Sequence, residues 1–223
     1  MDYAGPQPAD YDNVHALNRA FLELLADRRI AGVLLAGLPP ELTDRCLQLT
    51  RLQRQRLAQS PFLLFSFRES DAAFWDRLFE SRGQRDLLAV PEPGDRALAG
   101  LVAAGLGFVW QLARQNPYIA RLICGASLHW CERLAERPLL DVVAIADGRR
   151  VLTLRAPRDT GLWETLLNGG CSSERAVGDA VRISALQRIL THARGRQPAL
   201  AARSVTAPSL SVADDGPAND RQT

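Results

Sequence analysis

The chain has 223 residues, 47% of them apolar and 23% charged, and a net charge of +2. That is enough apolar material for a substantial core and too little charge for a polycation. All of its 27 basic residues are Arg, which excludes a Schiff-base lysine and the lysine of a Walker-type phosphate loop.

Residues 1–12 are acidic and Pro-containing, with no signal-peptide pattern; they are expected to form a loose N-terminal arm of a cytoplasmic protein. Leucine-rich helix follows from Phe21. Pro40 then suits the first turn of a helix through PELTDRCLQL, Thr50 can cap RLQRQRLAQ, and Pro61 ends it. Residues 63–68 read as a short extended piece. The charge-free run Ala97 to Ala113 is shorter than the about 20 residues of a membrane span, so the helix expected from Asp95 to Arg114 is assigned to the core. Its Gly100, Ala104 and Gly107 give it a small-residue face for close packing. Asn116 and Pro117 are the N-cap and first residue of a helix expected to continue unbroken to Glu136. Residues 138–146 are expected to be helical and 151–155 extended, although the β-branched runs around Asp147-Gly148 also read as a local hairpin. A last helix closes the body, capped by Ser172 or Ser173, and residues 195–223, without aromatics or periodicity, are expected to be a disordered tail.

The body repeats itself. FSFRESDAAFWDRLF at 65–79 and LTLRAPRDTGLWETLL at 152–167 share an alternating run ending in Arg, then Trp, an acid and Leu. Arg68 is matched to Arg155, Trp75 to Trp163, Gly37 to Gly125, and Leu52 to Leu140. The offset is 87 to 88 residues, and the rare residues Trp, Phe and Gly keep step in it. The expected fold is therefore all-α, a helical bundle of two pseudo-repeated halves, 13–100 and 101–194, with Trp75 and Trp163 as matched core anchors.

Chemistry is sparse by contrast. GASLHW from Gly125 approaches a nucleophile elbow, but His129 stands where the second Gly is required. Cys46, Cys124, Cys131 and Cys171 form no C-x-x-C pair, so they are expected to be reduced and buried; on one continuous helix His129 would point away from Cys124 and Cys131, so no metal or other cofactor is expected. SSERAVGDAVRISALQRIL from Ser172 lacks the turn glycine of a helix-turn-helix. Arg51, Arg54 and Arg56 make a compact basic face that can meet phosphates or a partner. Arg121, His129 and Glu132 are the residues around which an enzyme or small-ligand pocket between the halves would form.

The run from Phe21 to Glu69, FLELLADRRIAGVLLAGLPPELTDRCLQLTRLQRQRLAQSPFLLFSFRE, resembles the core of the flagellar transcriptional regulator FlhD family. It shares a Leu-rich opening helix, Gly-Leu then Glu-Leu, Leu-Thr before Gln, Leu-Ala, and a closing apolar-Phe-Arg. The resemblance implies a helical, non-enzymatic bacterial regulator that works through another protein, with DNA as a further partner at promoters. The doubling of the body departs from that family.

Overall fold

The computed structural model describes residues 5–80, 93–144 and 151–195. Nearly all of their regular structure is helix. In chain order it comprises α1 Pro8–Leu24, α2 Arg28–Leu34, α3 Pro40–Leu47, α4 Arg51–Leu57, β1 Phe65–Ser66, α5 Ala72–Glu80, α6 Pro93–Gln115, α7 Pro117–Cys124, α8 Leu128–Ala135, α9 Leu139–Ala144, β2 Thr153–Leu154, α10 Thr160–Thr165, a π-helical turn Leu166–Gly170, and α11 Arg175–Gly195. The expected tail beyond Gly195 and the Asp147-Gly148 turn lie outside the described residues.

Local chemistry explains most helix starts. Thr50 and Gln53 exchange side-chain-to-backbone bonds in a capping box at α4. Asn116 accepts from the Tyr118 N–H, with Pro117 at the first position of α7. Helix α1 starts with Pro8 after Gln7, whose N–H donates to Asp10, so Pro8–Asp12, expected in a loose arm, is helical.

Further expectations are corrected. The helix expected across 117–136 is broken: Gly125 adopts φ +64, its N–H bonds back to the Arg121 carbonyl, and Ser127 caps a new helix. Apolar spacing continues across that break, which is why periodicity alone misses it. Helix α6 runs through the 100/101 division, as the helix expected from Asp95 to Arg114 does. Its Arg96–Gln115 stretch, with mean hydropathy 1.4, is long and apolar enough to cross a membrane by length and composition, yet Leu98, Leu101, Val102, Leu106, Val109 and Leu112 are buried against the protein. Gly100 and Gly107 face open space; the close approach occurs at Gly105, where an added Cβ would lie 2.7 Å from Phe67 Cζ.

The strands correct the hairpin reading. Thr153–Leu154 pairs antiparallel with Phe65–Ser66, in the register Phe65 with Leu154 and Ser66 with Thr153. Boundaries recur at one spacing through the body. Leu128 of α8 stands 88 residues after Pro40 of α3, Leu139 of α9 the same distance after Arg51 of α4, and Thr153 after Phe65. Details recur with them. Trp75 Nε1 donates to the Phe67 carbonyl, and Trp163 Nε1 to the Arg155 carbonyl. Asp71 accepts from the Phe74 N–H, and Asp159 from the Leu162 N–H. Left-handed backbone falls at Arg68 and Ala156, and at Gly37 and Gly125.

Arg68 and Arg155, matched in the sequence, sit in unlike surroundings. Arg68 is half-buried, ion-paired to Asp71 at 2.6 Å and stacked over the Phe74 ring. Arg155 is buried in the centre. Its Nε donates to the Leu63 carbonyl at 2.7 Å, its Nη2 to the Phe65 carbonyl, and its Nη1 to Glu69 at 2.8 Å. Glu69 in turn accepts from Ser66 Oγ. Around this pair lies one apolar core in which Trp75 and Trp163 are fully buried. Asn18 ties α1 to it, donating to the Phe62 carbonyl and accepting from the Leu64 N–H, both at 2.8 Å.

Candidate functional site: a cationic cleft at the end of α4

Among the described residues, polar side chains line two of the open clefts. The smaller, about 430 Å³, lies between α3 and α10 and holds Glu41, Arg45, Glu164 and Asn168; Arg45 donates to Asn168 across it at 2.6 Å. The larger, about 480 Å³, lies where α1 and the end of α4 meet the start of α11. His15 comes from α1, Arg56 and Gln59 from α4 and the turn after it, and Ser172, Ser173, Arg175, Asp179 and Arg182 from the other side.

Arg182 organises this larger cleft. Its side chain is only 4% exposed, yet it lines the opening. Nη1 donates to the carbonyls of Arg56 at 3.1 Å and Gly170 at 2.9 Å, and Nη2 to Asp179 at 2.7 Å. Those bonds dock α11 on α4. Asp179 is also 3.7 Å from Arg175 Nε, so one carboxylate serves two guanidinium groups. Arg56 bonds only the Cys171 carbonyl, at 3.4 Å, and has no carboxylate partner among the described residues. Three guanidinium groups therefore face one carboxylate, and the cleft keeps a positive excess. Burial pushes His15 below its ordinary pKa; Asp12 pulls the other way and Arg182 adds to the push. Ser172 Oγ accepts from the Glu174 N–H just before α11, whose first-turn N–H groups lack intrahelical acceptors.

The residues singled out from sequence scatter. Arg51 is exposed and Arg54 half-buried on α4, and of the three only Arg56 reaches the cleft. Arg121 lies on α7, while His129 and Glu132 are exposed on α8; neither of these two clefts is lined by them. Ser127 is spent on the Trp130 N–H as a helix cap, which leaves no nucleophile elbow. Residues 175–195 form one continuous helix, so there is no helix-turn-helix in this segment. No cluster of three metal-ligating side chains occurs among the described residues.

The thiols are shielded from solvent. All four are buried and free. Burial pushes Cys46 up to about 12, with the Cys171 thiol adding to it, and raises Cys171 as well. Cys131 is raised by its hydrogen bond with Cys124 and then by burial.

His15, Arg175, Asp179 and Arg182 were not picked out from sequence. The Asp179–Arg182 and Arg175–Asp179 spacings were readable as helix-surface pairs, but their convergence with α4 was not. Compared with protein-family models, curated proteins and solved structures, the chain has no significant match.

Proposed function

We propose that the chain is a non-enzymatic, cytoplasmic bacterial regulatory or adaptor protein that acts through protein contacts, built as two copies of one helical unit. The resemblance of residues 21–69 to the FlhD family supports transcriptional control as its setting. The observation that carries the reading is where reactive and apolar groups are spent. The cysteines are buried and Ser127 caps a helix, while Glu69 is locked to Arg155. Among the large apolar side chains that remain in solvent, two stand at matched places. Leu52 is the second residue of α4 and 63% exposed; Leu140 is the second residue of α9, 88 places on, and 68% exposed. A leucine left in water costs apolar-transfer free energy that contact with another protein recovers. The shared 88-residue frame and the reciprocal strand register, each position of one strand meeting the other's counterpart, support the doubling.

Copurification from the native host tests the protein-contact reading. Wild type is expected to retain a specific partner that Leu52→Asp/Leu140→Asp loses while keeping its helical circular dichroism; the same retained set for both proteins defeats it. Duplex DNA supplies a separate arm: the promoter setting requires salt-dependent binding, and none at low salt removes that part alone.

A second reading, a small-ligand protein with a site between the two halves, is favoured by the Arg56–Arg182 cleft.

A further inference from the structure

We infer that the cleft between α4 and α11 binds the phosphate group of a small phosphorylated molecule. The seat is built from side chains of unlike origin that converge without neutralising one another. Arg182 is held rigid by two backbone carbonyls and Asp179, and these contacts leave its Nε–H and part of Nη2 for a ligand. Arg56 enters from the opposite wall with only a 3.4 Å carbonyl contact, and Arg175 stands at the mouth, 94% exposed. Ser172 and the opening turn of α11 add hydroxyl and backbone donors.

The chemistry selects an oxyanion. Guanidinium groups offer paired, planar donors that match phosphate oxygens, and their charge is fixed across the working pH range. Asp179 does not cancel the site, because it is already shared between Arg175 and Arg182. Size argues for more than a bare anion: at about 480 Å³ the cleft falls within the about 300–1,000 Å³ of small-molecule sites, leaving room for an organic substituent beside the phosphate. Its walls come from both halves of the chain, so a bound phosphate cross-links α4 to α11 and stiffens the seam.

The test is the thermal midpoint of the full chain at fixed ionic strength, with sodium chloride, orthophosphate or glycerol 3-phosphate. Four proteins are compared: wild type, Arg56→Gln, Arg175→Gln, and Arg51→Gln as a control from the exposed face of the same helix. Arg182 is left intact because its removal would strip the fold of the bonds described above. A ligand specific to the native state raises the midpoint with concentration, whereas general exclusion of a kosmotropic anion raises all four equally. The expected result is a rise in wild type and Arg51→Gln that is at least halved in Arg56→Gln and Arg175→Gln, with glycerol 3-phosphate acting at lower concentration than orthophosphate. Equal potency of the two would assign the site to the free oxyanion and overturn the organic ligand. A rise of the same size in all four proteins, or none at millimolar ligand, overturns the site altogether. A short DNA duplex that outperforms glycerol 3-phosphate at equal phosphate concentration would overturn the small-molecule ligand in favour of nucleic acid.

Discussion

Arg155 shows what a single buried charge does in this protein. With 6% of its side chain exposed, it satisfies the carbonyls of Leu63 and Phe65 and the Glu69 carboxylate, which is itself 4% exposed. Replacing it with Met fills similar volume but leaves Glu69 buried without its counter-charge. Such one-sided losses cost about 3–5 kcal/mol, so Arg155→Met is expected to lower the urea midpoint severely, and Arg155→Met/Glu69→Gln to recover part of the loss. His15 sets a pH dependence. Its pKa is lowered from 6.5 in the folded state, so the unfolded chain binds the proton more readily. The stability it contributes is full above that value and declines as pH falls toward the folded pKa, levelling off below it. Urea midpoints measured across that window should slope in wild type and flatten in His15→Asn. The four thiols give a third expectation. Native protein at mildly alkaline pH should react with a disulfide reagent far more slowly than the urea-unfolded chain, because the folded thiols are shielded and at least Cys46, Cys131 and Cys171 resist ionisation.

At the scale of elements, two glycines hold helices where they are. Ala is the better helix former by up to about 1 kcal/mol, yet Gly105→Ala is expected to destabilise, since its methyl would meet the Phe67 ring at 2.7 Å on the buried face of α6. Gly125→Ala should cost more. It adds left-handed strain of about 1–3 kcal/mol to contacts of 2.7 Å with Ile189 and 3.1 Å with Arg155. Urea titrations of both variants give the order. Elements whose causes are local were readable in the sequence: Thr50 and Asn116 cap helices as expected, and Val151–Arg155 contains an extended piece. Elements decided at a distance were not. The partner of Thr153–Leu154 is a strand in the other half, while Asp147-Gly148 offered a nearer and misleading one. The cleft was hidden for the same reason, since Arg56 and Arg182 are 126 residues apart. Gly125 could have signalled the break after Cys124, but the apolar spacing on both sides overrode it.

For the molecule as a whole, the contacts across its middle make the halves mutually dependent. The Leu63 N–H bonds to the Ile123 carbonyl, the Arg155 N–H to the Leu64 carbonyl, and Arg133 to Asp76. A fragment of residues 5–80 would expose Phe65, Phe67 and Trp75, all fully buried in the chain. It is expected to lack dispersed methyl resonances by NMR, and the whole chain to unfold with coincident circular dichroism and tryptophan fluorescence transitions. The paired leucines on α4 and α9 carry a last implication. Leu52 sits beside Arg51 and two residues before Arg54, whereas Leu140 is followed by Asp141. An assembly of identical subunits must offer every visitor the same sign of charge at each such knob. A continuous polypeptide is released from that obligation, and here one exposed leucine is flanked by cations and the other by an anion.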